Sequence, residues 1–192
     1  MTPTEQGAHE GRRYVEVVQY DRRWPFLFAE EAEWLREMLG EECLLVSHIG
    51  STSVPGMWAK PIIDILLVVR ELSAVDARSS SFVARGYEPL GEYGIPGRRF
   101  FPRGKLRRSH HLHCFAAGAH YEIERHLAVC AYLRKHADER VAYSALKRSL
   151  ARQYPWDIEG YWSGKVDYVA DLQSRALLWY QGEVAAQQGS PS

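Results

Sequence analysis

Little in this sequence could brace a fold from outside the core. Of its 192 residues only three are cysteines. Cys43, Cys114 and Cys130 are an odd number, and each sits in a periodic apolar segment. That pattern argues against a disulfide framework and for buried thiols in a reducing compartment. No apolar run reaches the roughly 20 residues that a membrane-spanning helix needs. The opening "MTPTEQGAHEGRR" lacks the apolar stretch of a secretory signal, so the expected setting is cytoplasmic, with no membrane partner. Net charge is absent too: 24 Lys and Arg against 24 Asp and Glu. The overall balance therefore names no partner, and the local distribution of charge matters more. No repeat and no low-complexity tract is visible.

What is present is a large apolar fraction, 46% of the chain, enough for a proper core at this length. Residues 1–13 read as a mobile arm, 14–182 as one domain, and 183–192 as a mobile tail. "YVEVVQY" suits a short strand or an extended arm. A helix is predicted over 21–40, with Pro25 in its first turn, an apolar stripe of Phe28, Ala32, Leu35 and Leu39, and Gly40 at its end. Strands are predicted at 43–50, 61–69 and 110–116, a weak helix at 71–86, and hairpin strands with an irregular connection at 87–104. From Tyr121 onward the period is helical, with three helices and with Asp138 and Asp157 as N-caps. The expected class is α+β: a mixed sheet with flanking helices in 14–118 and a helical part in 119–182.

One stretch stands apart, "SHIGSTSVPGMWAKPIIDILLVV" (47–69). A carboxylate, Asp64, interrupts a strand that is otherwise apolar on both faces. An ionised Asp there is costly unless a cation, a metal or several donors meet it. Before it lies a turn, Gly50-Ser51-Thr52-Ser53, whose glycine allows close backbone approach and whose outward amides suit phosphate oxygens. Lys60 could add a point charge. Two readings stand: a phosphate cradle with a site carboxylate, or a capped short helix with Asp64 paired to Lys60 or Arg70.

Gly50-Ser51, twelve residues and then Asp64 resemble the signature of the nucleotidyltransferase superfamily typified by DNA polymerase beta. More closely, this stretch, with "EYGIPGRRFF", "HHLHCF", "YEIERHLAVCAYLRKH" and "ALKRSLARQYPWDIEGYWSGK", is similar to the GrpB family. The resemblance implies a nucleotidyltransferase-like mixed sheet with a helical C-terminal part. It also implies a departure. Enzymes of that superfamily place two carboxylates two residues apart on this strand to hold two magnesium ions, and here the second position is Leu66, which cannot ligate a metal. Cofactor use is therefore open, with a divalent metal possible.

Imidazoles stand where further acids would be expected. His111 and His113 share one face of the strand 110–116, and with Asp64 could serve as acid–base groups or bind a metal. His48, before the Gly-Ser turn, is a further candidate. Arg98, Arg99, Arg103, Lys105, Arg107 and Arg108 form a basic run without an acid. It reads either as a solvated hairpin or as a phosphate-binding wall, with Tyr93 available for stacking and with Arg98 and Arg99 facing the site. Glu124, Arg125 and Lys165 are secondary candidates. The functional expectation is a transferase binding a phosphate-bearing donor, a nucleotide or aminoacyl-tRNA. The alternatives are acyl transfer like that of synthases making arginine-containing cyclodipeptides, and a non-catalytic nucleotide- or RNA-binding module.

Overall fold

The computed structural model describes residues 11–188. The first ten residues of the expected arm and the last four of the expected tail lie outside them. Four strands form one mixed sheet: β1 (Cys43–Ile49), β2 (Ile63–Val69), β3 (Arg98–Arg103) and β4 (His110–Ala116), in the order β1-β2-β4-β3. β1 runs antiparallel to β2, β2 parallel to β4, and β4 antiparallel to β3. The expected α+β class with a mixed sheet is what the chain adopts.

The parallel pair β2–β4 lies at the centre and is buried on both faces. Such a pair needs a long crossover, and the chain between Arg70 and Ser109 supplies it. Two short helices, α2 (Leu72–Asp76) and α3 (Ser79–Ala84), lie in that crossover. They replace the single helix expected over 71–86. Three consecutive serines follow Arg78, and their hydroxyls compete for backbone groups and weaken helix continuity. The hairpin expected at 87–104 is only half formed. Residues 87–90 run beside β3 through Glu88 N–H to Pro102 O (2.9 Å) and Leu90 N–H to Phe100 O (3.0 Å) without becoming a strand.

α1 (Trp24–Leu39) covers one face of the sheet, burying Trp24, Ala32, Leu35 and Leu39 against Ile63, Ile65, Leu67 and Val69. The opposite face, with Leu66, Val68 and Phe115, receives α4 (His120–Lys135) through Cys130. α5 (Ala137–Gln153), α6 (Ile158–Ser163) and α7 (Val166–Gln188) complete the helical part. Four helices thus stand where three were expected, because the last breaks at Gly164-Lys165. α7 also carries regular structure to Gln188, through the first six residues of the expected tail. Asp157 caps α6, accepting from Gly160 N–H at 2.9 Å. Asp138 caps nothing: His136 holds the cap position, and Asp138 lies in the first turn of α5, where a carboxylate suits the helix dipole.

A feature without a sequence signal is Glu31, on the core side of α1 and 1% exposed. Arg103 Nη1 meets its carboxylate at 2.9 Å and Arg85 Nε at 3.3 Å. Burial pushes the Glu31 carboxyl up, but the two guanidiniums outweigh it and leave it below its ordinary value. Removing one partner of such a network strands the others. Glu31→Ala is expected to lower the unfolding free energy by about 3–5 kcal/mol, measurable by urea denaturation; a loss under 1 kcal/mol would mean the arginines find other partners.

Candidate active site

Strand alternation puts Asp64, Leu66 and Val68 of β2 on the α4 face, with His111, His113 and Phe115 of β4 beside them in register. Asp64 is the Cα partner of His111, and Leu66 of His113. His111 Nδ1 donates to Asp64 Oδ1 at 3.0 Å, while His113 Nε2 lies 3.8 Å from the same oxygen. Burial alone would raise the Asp64 carboxyl; hydrogen bonding and charge from both imidazoles reverse this and hold it well below the usual carboxylate range. Burial pushes His113 down despite Asp64. The side chain of Asp64 keeps 27% of its surface, so it is held and still reachable.

Gly50 explains how the turn comes so close. Its φ is +68°, and a Cβ there would collide with Asp64 Oδ2. Only glycine meets both demands. The turn that follows is unequally used. Thr52, 1% exposed, donates its hydroxyl to Ile62 O at 3.0 Å. Ser53 turns inward, giving both its N–H (3.2 Å) and its hydroxyl (2.8 Å) to Gly50 O. The amides of Ser51 and Thr52 take no acceptor among the described residues. Ser51 alone of the three presents its hydroxyl to the cavity beyond, and Lys147 Nζ of α5 donates to it at 2.8 Å.

That cavity, about 240 Å³, is enclosed by the turn, Asp64, His111 and the helical part. Lys60, Lys147 and Lys165 all line it, and Asp64 is its only acid. Lys60 and Lys165 each sit 5.3 Å from the ring centroid of Tyr161. Burial, then the charge of Lys165, pushes Lys60 down to about 8, and burial pushes Lys147 well below its ordinary value. Lys147 escaped the sequence reading although it stands within "ALKRSLARQYP". Its helical period, matching neighbouring core positions, gave no sign that a 2% exposed lysine would return to the Gly-Ser turn across 96 residues.

Other expected residues are placed differently. His48 lies on the opposite face from Asp64, stacked on Phe28 with ring centroids 4.9 Å apart. Its Nε2 is 3.0 Å from Thr52 Oγ1. Since that hydroxyl donates to Ile62 O, the imidazole donates through Nε2 and braces the turn from behind. Arg99 also faces away, paired with Asp76 at 2.7 and 2.9 Å, because its register partner is Cys114. Arg98 is on the site face but occupied, donating to Tyr93 O (2.6 Å) and Glu92 O (3.1 Å). Its Nη1 lies 3.4 Å from His113 Nδ1, which leaves that ring's proton on Nε2, toward Asp64. Tyr93 stacks on Phe100 at 5.2 Å. Arg125 is tied to Glu122 at 2.6 Å, and the Glu124 side chain makes no ion pair or hydrogen bond among the described residues.

The ligand atoms of Asp64, His111 and His113 lie within 4.8 Å of one another. One carboxylate and two imidazoles could hold one cation of the zinc or manganese kind. They do not fit a magnesium pair, because Leu66 is fully buried where the second carboxylate would stand.

Residues 14–175 match the sequence model of the family described as "GrpB protein". The chain belongs to the GrpB family. It is 42% identical over 171 residues to the UPF0157 protein YqkA of Bacillus subtilis, covering 89% of this chain and half of that longer protein. The crystal structure of the conserved protein GrpB from Enterococcus faecalis superposes with a TM-score of 0.84 at 41% identity, over 86% of this chain and 99% of that one. Cid1, in complex with its short product ApU, gives a TM-score of 0.47 at 12% identity over 71% of this chain and 43% of its own. That likeness is too distant to carry function across. No helix among the described residues is long and apolar enough to cross a membrane.

Two outcomes test this geometry. Burial, ahead of the opposing charge of Asp64, pushes His48 down to about 4 from 6.5. A group held neutral in this way stabilises the fold above pH 6.5, and that contribution is lost as pH falls toward 4. His48→Gln is expected to flatten the fall of the melting temperature across that window, and a proton NMR titration of the wild-type ring should show a midpoint near 4. A midpoint near 6.5 would contradict the brace. Gly50→Ala is expected to displace Asp64 and abolish ligand binding in the cavity while the far-UV spectrum stays folded.

Proposed function

We propose that this GrpB-family chain is a transferase that takes a phosphate-bearing donor, a nucleotide, in the cavity between the Gly-Ser turn and α5. The observation that supports this is the convergence of Lys60, Lys147 and Lys165 on a cavity whose single carboxylate already serves His111. Three lysine side chains and the free amides of Ser51 and Thr52 supply donors for the acceptor oxygens of a phosphate chain.

In this reading Asp64 is not the base. A carboxylate held so far below its ordinary range is a poor proton acceptor near neutral pH. Asp64 instead orients His111 through Nδ1–H, which leaves Nε2 with the basic lone pair. Nε2 is shielded from water and has no hydrogen-bond partner. Once side-chain movement uncovers that nitrogen to the cavity, an acceptor hydroxyl would give it its proton as the hydroxyl oxygen bonds to phosphorus and the bond from phosphorus to the leaving group breaks. The phosphate leaving group departs with its charge held by the lysines. A second reading, in which the Asp64, His111 and His113 cluster binds one divalent cation that polarises the donor, rests on the proximity of their ligand atoms. A rise in melting temperature with zinc or manganese that Asp64→Asn removes would favour it.

Isothermal calorimetry with ATP tests the donor assignment. Lys147→Met keeps the length of the side chain and removes its nitrogen. It is expected to weaken binding at least tenfold while stability is unchanged or higher, since a buried amine is lost. Undiminished affinity would overturn the cradle. A pH series adds a sign. Lys60 is protonated below about 8, so affinity should fall between pH 7 and 9, and Lys60→Arg, charged throughout, should flatten that fall.

A further inference from the structure

A second cleft, about 490 Å³, adjoins the proposed donor cavity and shares Lys60 and Ile62 with it. Two parts of the chain far apart in sequence bring their cations to it. Arg12 and Arg13 come from the chain before the domain, and Arg107 and Arg108 from the β3–β4 connection. With Lys60 these make five cations against one acid in the lining, Glu16. None of the four arginines pairs with a carboxylate among the described residues. Arg13 is held below its ordinary value by burial and then by the charge of Arg108, as expected where like charges crowd without a counterion. Arg108 Nη1 is out of contact with solvent and has no hydrogen-bond partner among the described residues. At the cleft's edge Tyr14 and Trp156 lie with ring centroids 4.7 Å apart at 54°, and Tyr14 is 56% exposed.

A cationic track beside an aromatic pair is the chemistry that takes a nucleic-acid strand with its bases unpaired: phosphates on the guanidiniums, open base faces on the rings. A free phosphate or a lone nucleotide would need fewer cations and would not need the track to run away from the site. We propose that this cleft binds a single-stranded nucleic acid and brings its end to Lys60 and the Asp64–His111 pair. Calling the strand the acceptor rests on the donor reading above; its binding in the cleft does not.

Fluorescence anisotropy with short labelled single strands, one RNA and one DNA of the same mixed sequence, tests the cleft. Binding of at least one is expected, with log affinity falling against log salt at a slope of about −3, near 0.7 for each phosphate contacted. Arg107→Ala with Arg108→Ala is expected to weaken that binding at least tenfold and to flatten the slope by roughly 1.4, two contacts' worth. Tyr14→Ala should weaken binding with the slope unchanged. No binding of either strand, affinity unaffected by the double substitution, or equal affinity for the annealed duplex would each overturn the cleft assignment. ATP calorimetry keeps the two readings apart. The arginine variant should bind ATP as the wild type does, and Lys147→Met should lose ATP but keep the strand. A wild type that binds the strand and no nucleotide would sink the donor reading and leave this one standing.

Discussion

Everything at this site follows from keeping one carboxylate ionised inside a sheet. Desolvation opposes the charge of Asp64, and two imidazoles from the neighbouring parallel strand supply what water would have given. The arrangement needs β4 directly beside β2 and in register, so that His111 stands against Asp64 and not one residue away, where a slip would send it to the α1 face. It needs a glycine at position 50, because the carboxylate occupies the space of a side chain there. It also needs a buried hydroxyl, Thr52, to fix the turn to the start of β2. The crossover through α2 and α3, the parallel pair and the Gly-Ser turn are parts of one solution to a local charge problem.

The opposite face shows what the fold does with a second buried carboxylate. Glu31 is buried and meets two arginines, Arg85 and Arg103. Asp64 meets two imidazoles, keeps part of its surface, and shares a cavity with three lysines that pair with no acid among the described residues. The first arrangement is closed. The second is open, with lysines around it, and in the proposed reading that contrast separates a structural ion pair from a site.

Much of this was legible in the chain itself. Pattern and spacing located three strands of the sheet, the turn and its carboxylate, and placed the fourth strand inside a longer hairpin, because alternation along a strand and a misplaced Asp are local signals. The pairing of His111 and His113 with Asp64 followed once the strands were adjacent. What sequence could not carry was direction. Arg98 and Arg99 are neighbours in sequence and opposites in space, since consecutive residues of β3 face different sides. His48 likewise falls on the wrong face and braces the turn from behind. Lys147 is the clearest omission, because nothing in the helical period of α5 separates a lysine facing water from one facing a cavity. The basic run, which sequence leaves as either a solvated hairpin or a phosphate-binding wall, scatters: Arg103 closes the Glu31 network, and Arg107 and Arg108 join arginines nearly a hundred residues earlier.

Those separations bear on how the molecule comes into being. Asp64 meets His111 across 47 residues, and Ser51 meets Lys147 across 96. Contacts so distant in sequence close late, after the entropy of long loops has been overcome. During synthesis the carboxylate and its imidazoles can come together once β4 has emerged, while Lys147 and Lys165 are still to be made. A nascent chain at that stage has a finished sheet and an unfinished anion site. Only when α5 docks does the cavity acquire its wall, so the cavity is among the last features of the fold to be completed.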